Sequence, residues 1–255
     1  MPLEIVTIPC LADNYAFLVH DTASGDTALL DAPESGPILG ALRSRGWRLS
    51  HVLLTHHHWD HVDGLADILA AHPARVVGAA ADASRLPALD TAVTEGDTVA
   101  IGGEEAHVID VSGHTVGHIA FYFPDTGAVF TADSLMALGC GRLFEGTPDM
   151  MFDSLSKLAA LPADTLVCSG HEYTAANGRF ALTVDPDNAA LQARVAAVAT
   201  ANATGTPTVP STLAEELATN PFLRGHDPAV QRAVGMQGAQ PVDVFAEIRR
   251  RKDSF

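Results

Sequence analysis

Short apolar runs separated by turn residues dominate the first 170 residues of the chain. Each run is rich in Val, Ile, Leu and Phe and is bounded by Gly, Pro, Asp or Ser, a pattern typical of β-strands. We predict strands at residues 3–8, 15–19, 27–30, 51–54, 75–77, 106–111, 119–123, 128–131 and 165–168. Helical spacing of apolar positions occurs at 35–45, 62–71 and 152–161. Many strands with few helices indicate sheets packed face to face, with helices on the outside.

The pattern changes after residue 173. Ala, Leu, Gln and Arg recur at helical spacing in segments 188–201, 212–219, 228–234 and 241–251. Asp187 and Asp227 stand at predicted N-cap positions, and Pro228 and Pro241 suit the first helical position. The sequence therefore predicts a larger domain at residues 1–173 and a small helical domain at residues 174–255.

Composition narrows the classes of function. The 255 residues are 47% hydrophobic and 18% charged, and the formal net charge is −16. This acidity argues against a general binder of nucleic acids or anionic membranes, because neutralising phosphates requires a basic face. Three distant cysteines fit a reducing cytoplasm without disulfides, and we expect a cytoplasmic protein. The long uncharged stretch 195–214 contains Asn, Gly and Pro, so we interpret it as a loop leaving a helix and not as a membrane span.

Potential metal ligands cluster directly after the fourth predicted strand. His56, His58 and Asp60 alternate, so their side chains leave the same face of an extended segment, and His61 falls where the next helix begins. Imidazole and carboxylate groups without thiolates suit Zn, Fe or Mn in a catalytic site. His57 points the opposite way in this pattern, and we do not expect it to be a ligand.

Three further candidate ligands each follow a predicted strand, namely His114, Asp133 and His171. Singly, each has an ordinary explanation as an N-cap or a turn residue. Together with the histidine-rich stretch they supply enough donors for two ions. We expect them to lie close together, because functional side chains commonly lie on loops at one end of a sheet scaffold. Asp31, at the end of the third strand, is a candidate acceptor for a ligand imidazole N–H, as is His118.

The motifs THHHWDH, SGHT, TADSL and CSGHEYT, in this order, resemble the metallo-β-lactamase superfamily. The segments LADNYAFLV, GCGRLFEGTPDMM, HEYTAANGRFA and RRRKDSF narrow the resemblance to the glyoxalase II (hydroxyacylglutathione hydrolase) family over essentially the whole chain. The resemblance implies an α/β fold, an αββα sandwich, followed by an all-helical glutathione-binding domain.

The resemblance also implies a binuclear centre. It assigns one ion to His56, His58 and His114, and the other to Asp60, His61 and His171, with Asp133 bridging the two. The expected cofactors are two divalent ions per chain, Zn first, with Fe or Mn also accepted. A water held by such ions becomes hydroxide near neutral pH, and Asp60 and Asp133 are then the catalytic carboxylates.

The implied reaction is the hydrolysis of S-D-lactoylglutathione to glutathione and D-lactate, the second step of methylglyoxal detoxification. We expect the protein to be a monomer. A thioester suits the centre because a thiol of pKa about 8.5 leaves without a strong general acid. The anionic substrate requires local cations, and Arg142 is one candidate. Arg249 and Lys252 match residues that hold the glycine carboxylate of glutathione, and Tyr173 matches a substrate-contacting tyrosine. Phe144 replaces a tyrosine of some relatives, which removes one hydroxyl contact.

Several alternatives remain open at this point. A mononuclear iron persulfide dioxygenase has a similar sequence but does not need the complete second ligand set. A nuclease of the same superfamily requires a basic groove, which the net charge disfavours. A non-catalytic metal-binding protein is expected to have a saturated, usually cysteine-containing site. Ser154 and Lys157 match an S-x-x-K pattern, which we interpret as helix surface.

Overall fold

The computed structural model describes residues 2–255. The strands are β1 (Glu4–Cys10), β2 (Asn14–His20), β3 (Thr27–Leu30), β4 (His51–Leu53), β5 (Arg75–Ala79), β6 (Thr91–Val93), β7 (Thr98–Ile101), β8 (Glu104–Asp110), β9 (Ile119–Phe123), β10 (Ala128–Ala132), β11 (Leu135–Met136), β12 (Gly139–Cys140), β13 (Leu166–Ser169) and β14 (Ser211–Thr212). The α-helices are α1 (Ser35–Arg45), α2 (Trp59–Val62), α3 (Leu65–Ala71), α4 (Pro148–Ala159), α5 (Thr174–Val184), α6 (Ala189–Ala203), α7 (Leu213–Thr219), α8 (Pro228–Val234) and α9 (Pro241–Asp253).

Every strand predicted from the sequence is present, with its ends within two residues of the prediction. The strands that the sequence analysis missed, β6, β7, β11, β12 and β14, are two to four residues long, too short to show a period. Helix α5 was also missed, because Asn177 and Gly178 make its sequence resemble a turn. A Cβ at Gly178 would lie 2.9 Å from the Val195 side chain, so the close packing of α5 against α6 favours glycine there.

The predicted helix 62–71 is interrupted, and this part of the prediction was wrong. Helix α2 ends at Val62 and α3 begins at Leu65. At the break, Gly64 packs against backbone: a Cβ there would lie 2.9 Å from the carbonyl oxygen of Ala32. The N-cap of α6 is Asn188, whose side chain accepts from the Leu191 N–H, and not the predicted Asp187. Asp227 caps α8 as predicted.

Contacts divide the described chain into two compact units. The first comprises the residues up to Asp110 together with Val116–Thr131, and the second comprises Val111–Thr115 and Ala132–Phe255. This division by contacts does not test the predicted boundary at residue 173, which stays a prediction.

The first unit contains two sheets. Strands β1 to β6 pair in sequence order, antiparallel from β1 to β3 and parallel from β3 to β6. Strands β7 to β10 form antiparallel neighbours. Successive side chains of β2 point to opposite faces of the sheet. On one face, Ala16 and Leu18 join a hydrophobic cluster that includes Ile38 of α1 and Ile68 of α3. Phe17 instead meets Phe130 of β10, with ring centroids 5.4 Å apart.

The second unit is mainly helical and contains the β11–β12 hairpin and the β13–β14 pair. Buried Glu216 of α7 fixes the hairpin, since one carboxylate oxygen accepts the Leu138 N–H at 2.9 Å. Arg194 and Ser211 satisfy the other oxygen of this carboxylate. Across residues 2–255, no helix combines the length and the hydrophobicity of a membrane span.

Candidate metal centre

The first unit carries four of the predicted ligands on the segment that follows β4. His56 and His58 lie in extended backbone before α2, whereas Asp60 and His61 belong to its single turn. The rings of His56 and His58 are 4.8 Å apart between centroids, and those of His56 and His61 are 4.2 Å apart. The side chains of His56 and His61 are completely buried. The strand end and the following turn thus bring these donors together, as the alternation predicted.

Asp31 orients this group. Asp31 follows the last residue of β3 and has a φ of 56°, a left-handed backbone conformation. In this conformation its carboxylate faces Thr55, at the start of the histidine segment. One carboxylate oxygen accepts the Thr55 N–H at 2.8 Å. The other lies 2.8 Å from both the Thr55 hydroxyl and His61 Nδ1. The contact predicted for Asp31 is therefore confirmed.

Thr55 in turn orients His56 through a hydrogen bond. Its single hydroxyl proton goes to Asp31, so the oxygen accepts from His56 Nδ1, which is 3.0 Å away. Both His56 and His61 thereby carry their proton on Nδ1, which leaves the Nε2 lone pair as the donor toward an ion. One ligand atom from each of Asp31, His56 and His61 lies within 4.8 Å of the others.

Asp60 is positioned by Asn14 at the start of β2. The Asn14 amide donates to the Asp60 carboxylate at 3.0 Å and to its backbone carbonyl at 3.1 Å. The same carboxylate oxygen lies 3.8 Å from His61 Nε2. No local sequence pattern indicates this role of Asn14, because its partner is 46 positions away.

His57 and His118 have other partners. His57 leaves the opposite face of the segment, as predicted, and its Nδ1 lies 2.8 Å from the fully buried Asp82 carboxylate. Arg85 is the second partner of that carboxylate. The His118 ring stacks on His56 with centroids 4.6 Å apart, and its Nδ1 lies 3.1 Å from the Ile119 carbonyl. His118 therefore packs against a candidate ligand, while Asp31 acts as the predicted hydrogen-bond acceptor.

The second unit holds the remaining three predicted ligands. Asp133 follows β10, and His171 follows β13. One Asp133 carboxylate oxygen is 3.4 Å from His114 Nε2, and the other is 3.3 Å from His171 Nε2. The Nδ1 of His114 lies 2.8 Å from the Arg142 carbonyl, which fixes its proton on that nitrogen. A carboxylate with one oxygen beside each imidazole has the arrangement expected of a bridging ligand.

Gly141 permits this approach. A Cβ at this position would lie 1.9 Å from the Asp133 carbonyl oxygen and 3.0 Å from His114 Nδ1. The Gly141 N–H donates to the Ser134 carbonyl at 3.0 Å, so the chain after the hairpin folds back over the start of the Asp133 loop. Any larger residue would displace backbone at the candidate ligands.

Two predicted substrate residues of the second unit, Phe144 and Tyr173, contact these ligands. Phe144 is largely exposed, with its ring 5.2 Å from that of His114. Tyr173 stacks on His171 with centroids 4.6 Å apart. The Arg142 side chain is exposed, and its Nε lies 3.5 Å from the Asp253 carboxylate.

Arg249 is less accessible than the sequence analysis assumed. Its side chain is buried, and Nε and Nη2 lie 3.1 Å and 2.7 Å from the Asp253 carboxylate. Nη1 donates to the Cys140 carbonyl at 3.0 Å. Burial raises the pKa of the Cys140 thiol to about 11, so this cysteine is a neutral neighbour and not a nucleophile.

The interpretation of Ser154 as helix surface was wrong. Its side chain is buried, and its hydroxyl donates to the Ser112 carbonyl at 2.7 Å. The residue lies on the same face of α4 as Met151 and Leu158 and holds the segment that leads to His114. Its role is structural, and the S-x-x-K match carries no nucleophile.

The donor set fits divalent metal ions. The imidazoles of His56, His61 and His114 each have Nδ1 held by an oxygen atom, the usual arrangement of metal-binding histidines. Carboxylates accompany the imidazoles in both units, and no cysteine belongs to any candidate metal-ligand group of residues 2–255. This chemistry favours Zn, Fe or Mn.

Comparison with known proteins agrees with this donor set. Residues 13–171 match the metallo-beta-lactamase superfamily, and residues 172–255 match the hydroxyacylglutathione hydrolase C-terminus. A hydroxyacylglutathione hydrolase of Ruegeria pomeroyi is 67% identical over 255 residues, covering 100% of both chains. One from Roseobacter denitrificans is 66% identical, again over 100% of both chains. The chain belongs to the hydroxyacylglutathione hydrolase family.

Solved structures place this hydroxyacylglutathione hydrolase family member among metallo-β-lactamase folds. A di-iron-bound form of TTHA1623 has a TM-score of 0.63 and 26% identity, covering 86% of this chain and 100% of that one. ETHE1 from Myxococcus xanthus has a TM-score of 0.66 and 24% identity, covering 100% of this chain and 99% of that one. The likeness to ETHE1 supports the fold alone. The predicted fold, mixed α/β with a helical C-terminal region, is confirmed.

Proposed function

We propose that the chain hydrolyses the thioester of S-D-lactoylglutathione to glutathione and D-lactate at a binuclear metal centre. The observation that carries the proposal is the position of Asp133, which presents one carboxylate oxygen to His114 and the other to His171. Relatives of 67% identity over the full length bear the name hydroxyacylglutathione hydrolase, which agrees with this arrangement. The proposed ligands of the first ion are His56, His58 and His114, those of the second are Asp60, His61 and His171, and Asp133 bridges them.

Bound divalent ions would supply a water of lowered pKa and a Lewis acid for the thioester carbonyl. The chain's own residues prepare the ligands for that task. Asp31 and the Arg142 carbonyl hold imidazole protons on Nδ1 of His61 and His114, so that neutral rings face the centre. Asn14 holds the Asp60 carboxylate against rotation. Donors that are already fixed would lose little entropy when they bind an ion.

The overall reaction adds the elements of water across the acyl carbon–sulfur bond. The oxygen of water forms a bond to the carbonyl carbon, the carbon–sulfur bond breaks, and sulfur leaves as a thiolate that takes up a proton. Because the thiol of glutathione is a good leaving group near neutral pH, no separate strong acid is required. The buried cysteines do not compete as nucleophiles: burial raises the pKa of Cys10 to about 12 and that of Cys140 to about 11.

We further propose that residues 174–255 form a glutathione-binding domain. Its cations, together with Arg142, answer the need of an anionic tripeptide for local positive charge in an acidic chain. Arg249 and Lys252 receive the glycine end, Tyr173 contacts the peptide backbone, and Phe144 packs beside it. We also propose a cytoplasmic monomer with zinc as its principal metal, and no nucleic-acid or membrane partner.

A mononuclear iron persulfide dioxygenase is the alternative within the fold. The ETHE1 structure shares the fold with this chain at 24% identity. The di-iron form of TTHA1623, at 26% identity, instead shows a metal pair in a related protein. The second ligand set of Asp60, His61 and His171 favours two ions here.

The test combines elemental analysis of the purified protein with a thiol-release assay on S-D-lactoylglutathione. We expect close to two divalent ions per chain, thiol release and no oxygen uptake with glutathione persulfide. Asp133→Asn is expected to lose metal and activity together while the far-UV spectrum is retained. One iron per chain with persulfide-dependent oxygen uptake would replace the proposal with the dioxygenase, and inertness toward thioesters would remove it.

A further inference from the structure

The β11–β12 hairpin begins two residues after Asp133, the proposed bridging ligand, and it is too short to keep its shape alone. Its strands pair over only two residues each. A single isolated hairpin is at best marginally stable in water. In its turn, Leu138 has a φ of 57°, in the left-handed region that costs free energy for a residue other than glycine. The residues packed around the hairpin therefore have to impose its shape.

Two buried asparagine side chains hold the carbonyl groups of the turn. The amide of Asn177, on α5, donates to the Ala137 carbonyl at 3.0 Å. The amide of Asn220, directly after α7, donates to the carbonyls of Met136 and Gly139 at 3.1 Å and 2.9 Å. These contacts satisfy buried backbone groups that the short hairpin does not pair by itself.

Glu216 of α7 holds the left-handed residue. One oxygen of its completely buried carboxylate accepts the Leu138 N–H at 2.9 Å. The other oxygen accepts from Arg194 and from the Ser211 hydroxyl. Because each oxygen has donors of its own, a side chain with a single acceptor does not replace this carboxylate.

The chain that leaves the hairpin reaches two proposed metal ligands. The Gly141 N–H donates to the Ser134 carbonyl at 3.0 Å, and a Cβ at Gly141 would overlap the Asp133 carbonyl oxygen. The next carbonyl, that of Arg142, lies 2.8 Å from His114 Nδ1. A shift of the hairpin would therefore displace the supports of Asp133 and His114 together.

We propose that Glu216 is a positioning residue for the binuclear centre. By fixing the turn of the β11–β12 hairpin, it holds the Asp133 bridge and the His114 imidazole where a pair of divalent ions requires them. Asn177 and Asn220 contribute to the same hold. The Glu216 carboxylate already has donors on both oxygens, so it acts through the hairpin and not as a ligand. The inference rests on the proposed function, and it gives the helical segments a part in building the centre.

The test compares Glu216→Gln with Glu104→Gln. Both variants remove the charge of a buried glutamate, but the Glu104 carboxylate accepts the N–H groups of Asp125 and Thr126, in the turn between β9 and β10. A glutamine at 216 has one acceptor and cannot serve both sets of donors. We expect both variants to unfold at a lower temperature than the wild type, whereas only Glu216→Gln should change the metal centre.

Titration of the metal-free proteins with Mn²⁺, followed by electron paramagnetic resonance, measures the centre without catalysis. The wild type and Glu104→Gln should take up two ions and give the spectrum of a spin-coupled pair. In Glu216→Gln the dissociation constant of the pair should rise about 10- to 100-fold, the usual effect of losing a group that orients metal ligands. The coupled spectrum should then need correspondingly more Mn²⁺. Equal constants in the two glutamine variants would overturn the proposal.

Asn177→Ala provides the test if Glu216→Gln does not fold. Alanine favours the helix, and the change removes one donor from the Ala137 carbonyl. We expect the dissociation constant of the Mn²⁺ pair to rise about threefold, because a single hydrogen bond to the hairpin is lost. A constant equal to that of the wild type would count against the proposal in the same way.

The positioning role and the proposed function fail in different ways. A wild type whose Mn²⁺ pair depends on Glu216, but which hydrolyses no thioester, would remove the hydrolase assignment and leave the positioning role. Thioester hydrolysis by the wild type, at a pair of ions that Glu216→Gln binds equally well, would remove only the positioning role. Uptake of a single ion by the wild type would remove both.

Discussion

At the scale of single residues, the candidate centre depends on small groups that fix the protons of its histidines. Asp31 binds His61 directly and His56 through the Thr55 hydroxyl, so one carboxylate orients two imidazoles. Three contacts of 2.8 Å to one buried carboxylate form a local network whose members depend on one another.

Asp31→Asn should lower metal content. An asparagine keeps the size of the side chain, but only one of its two terminal atoms is an acceptor. The Thr55 N–H contacts one Asp31 oxygen, and the Thr55 hydroxyl and His61 Nδ1 contact the other, so the two sets of contacts can no longer both be satisfied. Loss of such a partner typically lowers metal affinity or activity about 10- to 100-fold. Elemental analysis after dialysis against a fixed chelator concentration measures the effect. The matched control is Asp187→Asn, an exposed carboxylate on the surface; equal metal retention in both variants would contradict the role of Asp31.

His57→Ala should keep its metal and most of its activity but lose stability. The side chain contacts Asp82 and lies outside the proposed ligand set, so its removal leaves a buried carboxylate with Arg85 as its main partner. We expect a loss of about 1 to 3 kcal/mol in the free energy of unfolding, measured by denaturant titration. His56→Ala serves as the contrasting variant and should lose metal. A metal-free His57→Ala protein would show that the ligand face was assigned wrongly.

At the scale of elements, turns and helix breaks place the ligands more than the strands do. The β11–β12 hairpin is held by buried Glu216, and it returns the chain so that Gly141 passes over Asp133. The interruption between α2 and α3 leaves His61 in a short helical turn beside Ala32, whose backbone N–H donates to the His61 carbonyl at 2.8 Å. The elements therefore act as rigid supports for the loops that follow them.

Gly141→Ala should damage the centre without unfolding the protein. The added methyl group meets backbone at 1.9 Å, so the Asp133 loop has to move. We expect at least a tenfold loss of kcat/KM together with reduced metal content, because misplacement of about 1 Å at a catalytic group costs about two orders of magnitude. The control is Gly40→Ala in α1, where a Cβ meets nothing within 4 Å. Wild-type metal content and activity in Gly141→Ala would refute the close-approach argument.

At the scale of the whole molecule, the central tension is between an acidic chain and the anionic substrate proposed for it. The chain has 31 acidic and 15 basic residues. Long-range repulsion of an anion then has to be offset locally, and Arg142, Arg249 and Lys252 are the cations of the second unit proposed to do so.

Removing two of these charges should weaken substrate binding. For the double variant Arg249→Ala, Lys252→Ala we expect KM to rise about tenfold or more with little change in kcat, since these groups are remote from the reacting carbon. Steady-state kinetics on S-D-lactoylglutathione measures both constants. Because Arg249 is buried, thermal unfolding of the same variant is measured as well, to show that the protein is still folded. An unchanged KM in a folded protein would exclude both residues from the glutathione site.

How far the sequence could predict this protein depends on how local each feature is. The alternation of His56, His58 and Asp60 follows from strand geometry, and so does the opposite direction of His57. The short strands and α5 escaped prediction because their formation depends on packing, as Gly178 illustrates against Val195. Ser154 was misplaced on the surface for the same reason, since periodicity alone does not show that its face of α4 is buried.

The sequence by itself determined the donor types, their spacing and the family, because these are properties of short segments read along the chain. Only the tertiary structure decided that Asp31 serves two histidines and that Arg249 is already engaged. Arg249 and the Cys140 carbonyl are 109 positions apart, and no local pattern encodes such a contact. Hydrogen bonds and charge pairs between distant segments arise when the chain buries its apolar faces, so their partners become visible only in the folded protein.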